Sequence, residues 1–134
     1  MKSRKKSDRL EGLHGFFASC GYAWRGISFA IRSQRNFRIH VIAAVLAVAA
    51  AVFFRFGQVK MILTLLTVSF VIVAELLNTA LEFALDLVEA REHPVVKTAK
   101  DIAAGGVLLS VVVSVLIGLL LFGPPLLEIL RGRG

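Results

Sequence analysis

Cysteine is nearly missing from this 134-residue sequence, where Cys20 stands alone. One thiol excludes an intrachain disulfide and any Cys-based metal cluster, which leaves Cys20 the default role of a small apolar residue. A GxxxxGK[ST] phosphate loop is also absent, so nucleotide use is not written in that form. No internal repeat or low-complexity segment stands out. Acidic residues are scarce, nine Asp and Glu against sixteen Lys and Arg, for a net charge of +7. A basic excess can point to nucleic acid. Here the basic residues flank hydrophobic runs, and membrane topology with anionic headgroups explains them better, so no nucleic-acid partner is expected.

What is abundant is apolar: 57% of residues are hydrophobic and mean hydropathy is +0.77, beyond the usual range of soluble domains. The chain reads as one all-α membrane domain. The basic segment 1–12 precedes no immediate long apolar core, unlike a cleavable signal peptide, and reads as a cytoplasmic tail. Within 13–32, Leu13, Phe16, Phe17, Cys20, Trp24, Ile27 and Ile31 recur at threes and fours, the pattern of an amphipathic surface helix. Tyr22 and Trp24 suit the headgroup level. Three apolar runs follow at 39–56, 61–88 and 102–122, each near the roughly 20 residues that cross a bilayer. Between the last two lies a polar loop, 89–101, whose Pro94 is expected to stop a helix, and Gly123, Pro124 and Pro125 are expected to close the third run. Of the basic residues, twelve fall before the first run or in the 89–101 loop and four on the other side. The positive-inside rule then puts the N-terminus and that loop in the cytoplasm.

The second run carries acids where a spanning helix should carry none. A charged carboxylate near the bilayer centre costs about 3 kcal/mol on insertion scales, so such residues normally face a protein interior or aqueous cavity and carry function. At about 100° per residue, with Glu75 at zero, Asn78 falls near −60°, Glu82 near −20° and Asp86 near +20°. All four share one face. Ile72, Val73, Leu76, Leu77, Leu81 and Leu85 occupy the rest, which argues against a solvated helix. On the third run Gly106, Ser110, Ser114 and Gly118 recur every four residues, a stripe that lets helices approach closely in lipid. Three helices offer little interior to shield an acidic face, so self-association is expected.

Carboxylates with an amide are hard oxygen ligands of the kind Mg²⁺ takes together with phosphate oxygens. Lys100 and Asp101 arrive from the neighbouring loop, and a Lys can meet phosphate charge, so the inventory fits phosphoryl transfer at the membrane surface. The same residues also fit a proton or cation path. Residue chemistry leaves both open.

Three strings break the tie: RNFRIH from Arg35, ELLNTALE from Glu75 and AKDIAAGGVLL from Ala99. In combination they resemble the small bacterial membrane-embedded lipid kinases, the diacylglycerol kinase and undecaprenol kinase family, over roughly 21–121. The resemblance implies a homotrimer with an N-terminal surface helix and three transmembrane helices in the bacterial inner membrane. It implies transfer of the γ-phosphoryl of Mg·ATP to a lipid hydroxyl. By position, Glu75 matches the general base and Glu82 a metal-binding carboxylate. Asn78, Glu82, Asp86, Lys100 and Asp101 match nucleotide-site positions, as do Tyr22 on the surface helix and Arg91, Glu92 and His93 in the loop. Trp24, Phe37, Arg38 and Glu75 fall on the lipid side.

Gln34 departs from the pattern. The family usually has Glu there, which with the equivalent of Glu82 holds the metal. An amide offers a carbonyl oxygen but no charge. The RNFRIH string leans towards undecaprenol as the acceptor, with diacylglycerol as the alternative. An ion-pathway subunit is the alternative of a different class.

Overall fold

The computed structural model describes residues 2–88 and 93–132, with side chains from Gly15 onward. Four helices appear: α1 (Lys2–Ser33), α2 (Arg35–Phe53), α3 (Gln58–Val88) and α4 (Pro94–Leu130). No strand occurs among the described residues. The chain divides into two compact units, Met1–Gln34 and Arg35–Gly134.

The first unit is α1. Segment 1–12, expected as a tail, is helical from Lys2. Its Lys, Arg, Leu and Glu are good helix formers and it contains no proline. Phe16, Phe17, Tyr22 and Trp24 are all more than 60% exposed, as befits side chains that meet a lipid surface.

In the second unit α3 is central, packing against α2 on one side and α4 on the other. All three helices are long and apolar enough to cross a membrane, with mean hydropathies of 1.9, 2.1 and 2.7. Their large outward residues, Leu46, Leu66, Leu77, Leu109 and Leu120 among them, are exposed, which suits a hydrocarbon solvent and not water. Hydroxyls at the helix contacts are satisfied locally. Thr64 Oγ1 donates to Lys60 O at 2.8 Å and Ser110 Oγ to Val107 O at 2.7 Å, so neither hydroxyl needs water. The small-residue stripe of α4 is used inside the chain. Ser110 is buried, and Ser114 and Gly118 line a cavity of about 260 Å³ between α2, α3 and α4, with His40, Thr64 and Val71 among its other walls.

Helix ends differ from expectation for identifiable reasons. Pro94 does not stop a helix; it begins α4, because proline at the first helical position lacks only an N–H that would have no partner there. The loop expected at 89–101 is therefore helical from Pro94 on. Pro124 and Pro125 do not close α4, which continues to Leu130. Proline's fixed φ is compatible with a helix, and its cost falls on the unmade bonds to the preceding turn. At the other turn Arg55 adopts φ 52°. Phe56 N donates to Ala51 O and Arg55 N to Val52 O, both at 3.0 Å, the pair of bonds that ends a helix with a left-handed residue. α2 thus ends at Phe53, short of 56, and α3 starts at Gln58, ahead of 61. Phe56 lies 4.8 Å, centroid to centroid, from Phe122, tying this turn to α4.

Candidate active site on the acidic face of α3

The acids of α3 run from the bundle interior towards one end of the helix. At 1.5 Å per residue Glu75 lies about 22 Å and Glu82 about 33 Å along α3 from Lys60. Against a hydrocarbon core about 30 Å thick, Glu75 falls inside it and Glu82 at its edge. Burial follows the same order. Glu75 is 4% exposed, Asn78 and Glu82 are half-buried, and Asp86 is exposed. Thr64, Val71, Glu75 and Thr79 are the buried residues of α3, spaced so that all face the packed side. Glu75 therefore points among helices, away from lipid.

Two contacts organise this face. Asn78 Nδ2 donates to Glu82 Oε1 at 3.1 Å across one turn. The other amide atom, Asn78 Oδ1, is buried without a partner. Further along, Lys100 Nζ of α4 pairs with the Asp86 carboxylate of α3, so the cation expected to face phosphate is held by an acid of the same face. Both groups are partly exposed, and the pair is open to exchange with another anion. Asp101 is exposed on α4 beside Lys100 in sequence.

His93 has a structural task. It caps α4, its Nδ1 accepting from Val95 N at 3.3 Å and its carbonyl accepting from Lys97 N at 3.0 Å. With Nδ1 accepting, the neutral ring carries its proton on Nε2, the atom left for a ligand. Arg91 and Glu92 lie outside the described residues.

On α1, the Arg25 guanidinium lies 4.6 Å from the centre of the Tyr22 ring. Gln34 follows α1, half-buried, its backbone N–H donating to Ala30 O at 2.9 Å. Phe37, expected to contact lipid, is 1% exposed, so its ring meets protein. Arg38 is exposed on the first turn of α2.

A family model described as prokaryotic diacylglycerol kinase matches residues 21–122. The chain belongs to this family. A diacylglycerol kinase of Synechocystis sp. is 43% identical over 110 residues, 81% of this chain and 63% of that protein. An undecaprenol kinase of Bacillus subtilis is 38% identical over 119 residues, 89% of this chain and 97% of its own length. A diacylglycerol kinase of Escherichia coli K12 is 28% identical over 110 residues, 82% of this chain and 90% of its own. The chain thus spans less than two thirds of the Synechocystis protein. Family and relatives' names alike indicate a lipid kinase.

As a prokaryotic diacylglycerol kinase family member, the chain brings together Glu75, Asn78 and Glu82 on α3 and joins Asp86 to Lys100 of α4. The Glu82 carboxylate and the amide oxygen of Asn78, whose nitrogen bonds Glu82, are hard oxygen ligands, which fits a hard divalent cation. No group of three His, Cys, Asp or Glu suited to a metal occurs among the described residues, so phosphate oxygens and water would complete the shell of Mg²⁺. His40 was given no role by the sequence. It comes from α2 to within electrostatic reach of Glu75, and only its place in RNFRIH could have signalled it.

Proposed function

We propose that this chain transfers the γ-phosphoryl of ATP to the hydroxyl of a membrane lipid alcohol, undecaprenol first and diacylglycerol second. The observation that carries the reading is Glu75, a carboxylate buried between apolar helices and followed on the same face by Asn78, Glu82 and Asp86 with its Lys100 partner. A lipid hydroxyl reaches such a depth from the bilayer, and nucleotide reaches the exposed end of the face from water. The 97% coverage of the Bacillus subtilis undecaprenol kinase and the RNFRIH string support the preference for undecaprenol. Family membership favours a kinase over an ion-pathway subunit.

In this reading Glu75 accepts the hydroxyl proton as the lipid oxygen attacks the γ-phosphorus. The bond from that phosphorus to the β–γ bridging oxygen breaks and ADP leaves with the electron pair. A positioned base of this kind contributes typically 10²–10⁴-fold. Lys100 exchanges its bond to Asp86 for one to phosphate oxygen. Mg²⁺, held by Glu82, would neutralise charge on the β- and γ-phosphates, and Gln34 is assigned to the metal by its place in the family pattern. Tyr22, Asp101, Arg91, Glu92 and the Nε2 of His93 are assigned to the nucleotide, and Trp24 and Arg38 to the lipid. Phe37, being buried, supports the lipid side through packing. The basic distribution supports a cytoplasmic N-terminus and acidic end in the inner membrane, and the small interior that three helices offer the acidic face supports a homotrimer.

The test is phosphorylation of undecaprenol and of diacylglycerol, side by side, by the purified protein in detergent micelles with ATP and Mg²⁺. Undecaprenyl phosphate should form faster. Faster phosphatidic acid formation reverses the substrate order, and ion flux without ATP consumption would support the ion-pathway class instead.

A further inference from the structure

The amide of Asn78 is half committed. Its Nδ2 donates to Glu82 Oε1 at 3.1 Å, and this bond fixes the orientation of the group, since a flipped amide would set two acceptors against each other. Its Oδ1 is buried with no hydrogen-bond partner, the one such side-chain atom among the described residues. A buried acceptor left empty is a standing cost, and in a native protein it calls for a ligand. Asn78 also borders a groove of about 360 Å³ between α3 and α4, whose other walls include Leu77, Leu81, Ala103 and Val107. None of these side chains is a donor.

The chemistry of the proposed reaction narrows what can meet Oδ1. Phosphate oxygens of a nucleotide are acceptors and are repelled by it. The lipid hydroxyl has a single hydrogen, and Glu75 takes it. Lys100 pairs with Asp86 and in the kinase reading leaves it for phosphate oxygen. A divalent cation needs no hydrogen, accepts a lone pair from an amide oxygen, and is drawn to this point by the adjacent Glu82 carboxylate. We infer that Asn78 Oδ1 is a ligand, beside Glu82, for the divalent cation that accompanies the nucleotide. This rests on the kinase reading. It gives the amide two tasks: its nitrogen orients the Glu82 carboxylate and its oxygen completes the protein's share of the shell.

Asn36 and Asn78 are the only asparagines in the chain, so carbon-13 labelling of the asparagine side-chain carbonyl gives two resonances. In wild-type protein in micelles with a non-hydrolysable ATP analogue, Mg²⁺ should shift one of them and Mn²⁺ should broaden it beyond detection. That resonance should be the one missing from Asn78→Asp. Mn²⁺ titration followed by electron paramagnetic resonance should show the half-saturating concentration rising about tenfold or more in Asn78→Ala and recovering in Asn78→Asp, which keeps an oxygen but not the nitrogen. If Asn78 acts only by orienting Glu82, the Asp variant repels Glu82 and binds no better than Ala, and the inference fails. It fails equally if the Asn78 resonance responds to the analogue without metal, which assigns Oδ1 to a ribose or adenine donor. A response only to self-association assigns it to a second copy and also overturns the inference. The wild-type spectrum decides even if a variant does not fold. A metal response with no lipid phosphorylation by the same preparation would sink the kinase reading alone, whereas phosphorylation without the response would sink this inference alone.

Discussion

A carboxylate at 4% exposure within an apolar helix is maintained against a desolvation cost, and its use follows from what surrounds it. If Glu75 takes the hydroxyl proton, Glu75→Gln keeps the shape and removes the base. Lipid phosphorylation should fall by about 10²–10⁴-fold, with an unchanged elution volume on size exclusion; wild-type turnover in that variant would rule Glu75 out as base. Lys100→Ala removes a cation that must leave Asp86 before it can meet phosphate. The loss should appear as a higher KM for ATP, about tenfold for a net change near 1.4 kcal/mol, with KM for lipid unmoved. Gln34→Glu should lower the Mg²⁺ concentration for half-maximal activity, since it adds an anionic oxygen. Coincident Mg²⁺ titrations of the two forms would remove Gln34 from the metal shell. At this scale the sequence was informative about the acidic face, because helical period alone aligns Glu75, Asn78, Glu82 and Asp86. It was silent about the Lys100–Asp86 pair, the capping role of His93 and the approach of His40, since each depends on how one segment packs or ends against another.

The three spanning helices were legible as apolar runs, and the end of α3 at Val88 was too, but most of the other ends were not. Proline's meaning depends on its position in a turn. Pro94 sits where its missing N–H costs nothing, while Pro124 and Pro125 lie within a helix that continues to Leu130. The end of α2 at Phe53 could not be read from a glycine signal, because the left-handed residue beyond it, with φ 52°, is Arg55 and Gly57 comes two residues later. For an L-residue that conformation costs roughly 1–2 kcal/mol. Arg55→Gly should therefore stabilise the protein by about 1 kcal/mol, read as a later midpoint in denaturant unfolding in micelles. An earlier midpoint would mean that the Arg55 side chain contributes more than its backbone costs. Ser110 is 1% exposed on the packed side of α4, and Ser110→Leu should overpack that contact, destabilising by about 1–3 kcal/mol in the same assay.

Across the whole molecule, three apolar helices long enough to span a bilayer carry one acidic face that is buried at Glu75 and opens at Asp86. In the proposed reaction that gradient is what would let a single helix meet a lipid hydroxyl and a water-borne nucleotide without the soluble kinase fold. The proposed trimer makes one more expectation: crosslinking in micelles should give a three-copy species, and a monomer that phosphorylates lipid at full rate would remove the trimer from the account. The most direct test of the central claim is Mg²⁺-dependent transfer of labelled γ-phosphate from ATP to undecaprenol by wild-type protein and by Glu75→Gln. The account predicts labelled undecaprenyl phosphate from the wild type and a loss of at least about 10²-fold in the variant; no labelled lipid from wild-type protein with either alcohol would contradict it.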